Sequence, residues 1–217
     1  ITGGAGFVGS QLARRAVAEG HDVTAMVRAD TDRWRLRDIE GRLTVAVCDL
    51  HDREAVERVI GTSRPELCVH LAWRGSPGDG GPAADNVSSL MASLELVRAL
   101  ATAGCPRFVA TGTCFEYAAA QRPHVEDDPV GPRDLYAMCK SACFTIASEL
   151  CRIEGIRMAW PRIFYTYGPY ESPSRLVSSV IVALLEGRPI ATTRGEQSRD
   201  YLHVEDVAGA IWAIARS

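Results

Sequence analysis

A chain of 217 residues that is 47% apolar and 24% charged can bury a sizeable core and has the composition of an ordinary soluble globular protein. Its formal net charge of −3 gives no electrostatic ground for a nucleic acid or an anionic membrane as partner. Neither a charged-then-apolar leader nor an apolar run long enough to span a bilayer is present in the sequence, and seven cysteines without a C-x-x-C pair read as reduced, structural thiols of an intracellular, cytoplasmic protein.

In chain order, only Ile1 and Thr2 precede the first glycine, where a buried strand normally has about five or six residues. The chain also closes inside an apolar-periodic helix, "VEDVAGAIWAIARS", so it reads as a piece of a longer protein. The turn "TGGAGFVGS" places Gly3, Gly4, Gly6 and Gly9 before a helix expected at 9–19, satisfying both G-x-G-x-x-G and G-x-x-G-x-x-G. Such a turn lets backbone N–H groups approach a pyrophosphate at a helix N-terminus. Strands are expected at 22–27, 43–47, 67–71, 107–111 and 156–163, with helices at 52–60, 86–103 and 134–154 between them. Helix ends are read at Gly20, Gly61, Gly104, Gly155 and Gly187. The alternation predicts β-α-β units, a doubly wound parallel sheet and helices on both faces. The stretch 74–82, "RGSPGDGGP", reads as a mobile surface loop. After 163 a Gly/Pro-rich loop leads to a helix at 174–186, a short strand, a turn at Gly195 and the closing helix.

Three places carry chemistry. The second strand ends at Arg28 without the carboxylate that usually holds the ribose hydroxyls of NAD. Arg28, helped by Arg33 or Arg35, suits the extra phosphate of NADP, with NAD as the alternative. Asp49 and Leu50 end the third strand, where they can flank an adenine. The segment "YAMCK" holds the chain's single lysine among twenty-four Lys and Arg. Tyr136 and Lys140 are four apart on one helix, hence on one face. A phenol titrates near 10; a nearby ammonium favours its phenolate and suits it to acid/base work near neutrality. Thr111 and Thr113, after the fifth strand, are the candidates to hold the reacting oxygen.

The glycine turn, Thr113, Y-x-x-x-K and "RDYLHVEDVA", in that order, resemble the extended short-chain dehydrogenase/reductase family of nucleotide-sugar epimerases and dehydratases. The resemblance selects Thr113 over Thr111, because the family's Ser/Thr lies four residues before a Tyr, here Tyr117. It implies a Rossmann-like dinucleotide domain over 1–163, and over 164–217 a small, truncated substrate-binding part with elements returning to that domain. It implies cofactor contacts from Gly3, Gly6, Phe7, Val8, Gly9, Leu71, Ala72 and Asn86 besides Arg28, Asp49, Leu50, Tyr136 and Lys140. Substrate contacts are expected from Thr113, Cys114, Tyr165 and Arg199. A homodimer through helices 86–103 and 134–154 is implied as well.

Departures from the family pattern narrow the reaction. A family 4,6-dehydratase carries Asp-Glu after the catalytic Thr, whereas Cys114 and Phe115 stand here and Glu116 comes one position late. Tyr165 replaces an Asn that often faces the sugar nucleotide, and Ala118 replaces a Gly. The expected reaction is reduction at C4 of an NDP-4-keto-6-deoxyhexose, with an NDP-sugar 4-epimerase as the alternative. A non-catalytic, cofactor-sensing protein on the same scaffold is the remote one, since it has no need to keep both Tyr136 and Lys140. No serine-hydrolase elbow and no metal-binding spacing of the five histidines is found. His70 and His203 read as structural.

Overall fold

The computed structural model describes residues 1–75 and 82–217. Residues 76–81, most of the glycine-rich stretch expected to be a surface loop, lie outside the described residues. Strands β1 (Thr24–Val27) and β2 (Thr44–Val47) pair in parallel, as do β3 (Cys68–His70), β4 (Arg107–Ala110) and β6 (Arg157–Ala159). Thr2 joins the two ladders by parallel bridges to Met26 and His70. The spatial order is therefore β2, β1, the Thr2 segment, β3, β4, β6, the doubly wound arrangement with its switch point beside the glycine turn.

Alternation along the strands sorts side chains into two cores. Ala25, Val27, Val69 and Val109 pack on one face with α1 (Phe7–Ala18) and α6 (Val204–Arg216). Met26, Cys68, Phe108 and Ala110 face the other way, against α2 (Arg53–Ser63), α3 (Asp85–Thr102) and α4 (Leu135–Ile153). Cys48, Cys68, Cys105 and Cys151 belong to this second core as small apolar fillers. All seven cysteines are free thiols, and burial pushes Cys68 up to about 12. His70 is buried between Thr2 Oγ1 and Ser93 Oγ, at 2.7 and 2.8 Å from its two ring nitrogens. Burial, then the charge of Lys140, pulls it down to about 3, so the ring is neutral and bridges two elements.

Several boundaries differ from the sequence reading, each for a local reason. Helix α1 starts two residues early, because Gly6 already takes the N-cap position. Gly61 lies inside α2, which runs on to Ser63 and ends with Arg64 left-handed at φ 40°. Gly20, Gly104, Gly155 and Gly187 do adopt positive φ after their helices. The run 156–163 splits at Trp160–Pro161, since proline has no N–H for a ladder. Its second half, β7 (Arg162–Ile163), pairs with β5 (Gly112–Thr113). The expected short strand between Gly187 and Gly195 does not form. Instead β9 (Tyr201–His203) pairs in parallel with β8 (Tyr165–Tyr167), beyond α5 (Leu176–Leu185). Among the described residues, no helix is long and apolar enough to cross a membrane.

Candidate active site

The glycine turn shows why those positions carry no side chain. Gly3 has φ 66°, and a Cβ there would stand 2.9 Å from the Ala72 nitrogen. A Cβ at Gly9 would run into the Gly3 carbonyl. Gly6 donates its N–H to Gly3 O at 2.9 Å and caps α1 without a side-chain bond. The first-turn amides of α1 thus lack a side-chain acceptor, at the positive end of the helix dipole, which suits a phosphate anion.

A cavity of about 470 Å³ opens over this turn. Gly3, Gly6, Arg28, Asp49, Leu50, Leu71 and Ala72 all line it. Arg28 Nε donates to Asp30 Oδ1 at 3.0 Å. Asp49 accepts from His51 N and Nδ1 at 3.0 and 2.8 Å, and from Arg74 at 2.7 Å. Burial works to raise the Asp49 carboxyl, but those His51 and Arg74 bonds outweigh it and bring it down to about 2. These residues fit an adenosine diphosphate group: amides for the diphosphate, a cation at the strand tip, and Asp49 with Leu50 at the adenine end.

A second cavity, of about 600 Å³, lies at the carboxyl ends of β5 and β8. Thr113, Cys114, Tyr136, Lys140 and Tyr165 line it, with Phe7 and Val8 from the cofactor set. Tyr136 stands in the first turn of α4, whose N-cap Asp134 accepts from Ala137 N at 2.8 Å. Lys140, one turn on, is 5% exposed and donates to the Thr111 carbonyl at 2.9 Å. Burial pulls its ammonium down to about 8 against the favourable charges of Cys143 and Glu116. Phe115 and Tyr136 meet edge to face at 6.4 Å. Arg199 donates to the Tyr165 hydroxyl and lies 4.6 Å over its ring.

Three expected residues stand apart from the cavity linings, the first being Gly9, buried against the Gly3 carbonyl. Asn86 is buried, donating to the carbonyls of Gly75 and Ala83 at 3.0 Å each and accepting from Trp73. Arg199 is exposed and borders the second cavity through its contact with Tyr165. Two features of weight were not read from the sequence: the place of Trp73 and the pairing of Glu116 with Arg162. Trp73, with Arg35 and Leu71, lines both cavities. Glu116 is fully buried behind Thr113, accepting its N–H at 2.7 Å, Trp160 Nε1 at 3.2 Å and Arg162 Nε at 3.1 Å. Its carboxylate faces Arg162 and Trp160. Nothing in the local pattern marks Trp73 or the Glu116–Arg162 pair, because each finds its partner across the fold. Among the described residues, no group of three or more His, Cys, Asp or Glu is placed to hold a metal.

Known proteins share the family pattern and the fold. A family model described as "NAD dependent epimerase/dehydratase family" matches residues 1–217. UDP-glucuronic acid decarboxylase 1 of Xenopus tropicalis is 28% identical over all of the chain, which spans 53% of that protein, about half its length. The Thermus thermophilus UDP-glucose 4-epimerase crystallised with NAD is 27% identical, with a TM-score of 0.84 over all of this chain and 73% of that one. An NAD-dependent NDP-hexosamine 5,6-dehydratase of tunicamycin biosynthesis is 31% identical, with a TM-score of 0.81 over 99% of this chain and 70% of that one.

Proposed function

The chain belongs to the NAD dependent epimerase/dehydratase family, and on that premise we propose that it exchanges a hydride between a nicotinamide dinucleotide and C4 of a nucleotide-activated sugar. The leading reading is reduction of an NDP-4-keto-6-deoxyhexose. The observation that carries it is the convergence of Thr113, Tyr136 and Lys140 on one cavity next to the glycine-turn cavity. When bound across the two, the dinucleotide supplies or accepts the hydride. Tyr136 then gives the sugar oxygen its proton or removes it, with the Lys140 ammonium one turn away on the same helix. Thr113 hydrogen-bonds that oxygen, Lys140 anchors the adjoining ribose, and Tyr165 with Arg199 meets the substrate diphosphate. Cys114 keeps its thiol proton, because burial pushes its pKa up. Cys114 and Phe115 stand where a carboxylate pair would follow Thr113 to eliminate water. Residues 164–217 would belong to the substrate-binding part, and seven free thiols suit a cytoplasmic setting.

Arg28 at the strand tip favours NADP. A second reading, a 4-epimerase that retains NAD, draws on Asp30 balancing the Arg28 charge at 3.0 Å and on the NAD complex of the Thermus protein. The test is NADPH against NADH, with a panel of 4-keto-6-deoxy nucleotide sugars, followed by absorbance. Arg28→Ala is expected to weaken NADPH roughly 10-fold, about the 1.5–3 kcal/mol of a charge-assisted hydrogen bond at its low end, and to leave NADH nearly unchanged. An equal loss for both cofactors removes the NADP assignment. Interconversion of NDP-sugar C4 epimers without net NADPH loss selects the epimerase.

The homodimer reading draws on apolar side chains left outside on the two long helices: Val87 and Met91 on α3, Met138, Ile146 and Ile153 on α4. Light scattering after size exclusion is expected to give twice the chain mass. Met91→Glu with Met138→Glu should return it to the monomer value; a wild-type monomer at micromolar concentration ends this part of the reading.

A further inference from the structure

Trp73 follows β3, and the face of its indole lies on the only lysine of the chain: Lys140 Nζ is 3.9 Å from the ring centroid. The edge of the ring is clamped, because its N–H donates to Asn86 Oδ1 at 2.8 Å. Asn86 is in turn fixed by its two donations to the Gly75 and Ala83 carbonyls. On its other side the ammonium donates to the Thr111 carbonyl. Trp73 also meets the Tyr136 ring edge to face at 6.3 Å. It stands where the two cavities adjoin, since it lines both.

We propose that Trp73 is a positioning residue: clipped to Asn86, its indole holds the Lys140 ammonium charged and aimed toward Tyr136, at the partition past which the middle of a bound dinucleotide runs. The catalytic significance of this rests on the reading given under Proposed function; the contact itself does not. The physics is a balance at one nitrogen. Removing an ammonium from water disfavours its charge, and burial acts that way on Lys140. The negative face of an indole opposes that cost without bringing in a second titrating group. The other titratable groups around the ammonium are Glu116, Cys143, His70 and Tyr136. A leucine at 73 would keep the bulk that excludes water and remove the π face. The charged form would then lose ground by about 2- to 30-fold, the range of a cation–π contact. Lys140 would give up its proton at lower pH.

A chain with one lysine makes this directly measurable. Purified protein is treated with an acetylating N-hydroxysuccinimide ester over a range of pH, and Lys140 modification is followed by peptide mass mapping. In Trp73→Leu, labelling at neutral pH is expected to run about 2- to 8-fold faster than in wild type, with the midpoint moved to lower pH and the alkaline plateau unchanged. Trp73→Phe, which keeps a ring face, is expected to stay near wild type. Trp73→Met serves as the second apolar variant should the leucine protein fail to fold. Wild-type labelling in the leucine or methionine variant overturns the proposal. So does a rise that extends to the plateau, which would mean that Trp73 only shields the amine. In the NADPH assay at neutral pH Trp73→Leu should lose kcat/KM by up to about 4-fold as the charged fraction falls, and Trp73→Phe should recover most of it. If wild type shows no turnover with any nucleotide sugar, the sugar-nucleotide reading fails, and the labelling ratio still decides Trp73.

Discussion

Tyr136→Phe is expected to lower kcat of the NAD(P)H-linked reaction by roughly 10²- to 10⁴-fold, the range for a positioned acid/base group. Binding of the dinucleotide should stay close to wild type. The substitution removes one oxygen and keeps the ring, whose edge-to-face neighbours are Trp73 at 6.3 Å and Phe115 at 6.4 Å. Packing of the first turn of α4 should therefore persist, and thermal unfolding should show it. Because the proton is moved only in the transition state, kcat and kcat/KM should fall together while KM changes little. Single-turnover rates with pre-bound NADPH provide the measurement. A phenylalanine enzyme that turns over at the wild-type rate would remove Tyr136 from the chemistry. An unchanged biological activity of Tyr136→Phe in a protein that shows no turnover would instead revive a sensing protein that binds cofactor without reacting it.

The second large effect concerns stability. Glu116 is fully buried, and Arg162, its partner at 3.1 Å, has a side chain 15% exposed. Glu116→Ala strands that guanidinium and leaves the Thr113 and Trp160 N–H groups without their carboxylate acceptor. Breaking one side of a buried pair costs about 3–5 kcal/mol, a large share of the 5–15 kcal/mol that typically separates folded from unfolded domains. Urea titration should show a markedly lower midpoint at an unchanged slope. Gln at 116 keeps an acceptor and should fall between alanine and wild type. Glu116→Leu combined with Arg162→Met, which removes both charges, should recover most of the loss. An alanine variant with the wild-type midpoint would show that the ion pair contributes nothing net. The same carboxylate fixes the backbone of Thr113, so residual activity of the folded glutamine variant also reports how firmly that hydroxyl must be held.

The cation at the Arg28 position and the thiol at Cys114 illustrate how residue identity bears on reaction type. Neither changes the fold. Both change what charge a substrate or cofactor would meet at a fixed place on the scaffold, which is where functions diverge on a shared architecture.

What the sequence by itself determined was everything governed by local periodicity and backbone sterics. Gly3, Gly6 and Gly9 announced a turn that must bring backbone close to backbone, and a Cβ at Gly3 or Gly9 would indeed meet other main chain. The i, i+4 spacing placed Tyr136 and Lys140 on one helical face, and alternating apolar strands with helices implied the parallel, doubly wound sheet. Local reading failed where a neighbour in space overruled a neighbour in sequence. Gly61 reads as a stop, yet α2 runs on to Ser63. The bonds of Asn86 to Trp73 and to the Gly75 and Ala83 carbonyls were not legible in the sequence either. Only the tertiary structure decided that Trp73 would cover Lys140 and that Glu116 would meet Arg162 behind Thr113. Burial and charge pairing are properties of surfaces brought together across the chain, and no periodicity within one segment encodes which distant side chain will arrive.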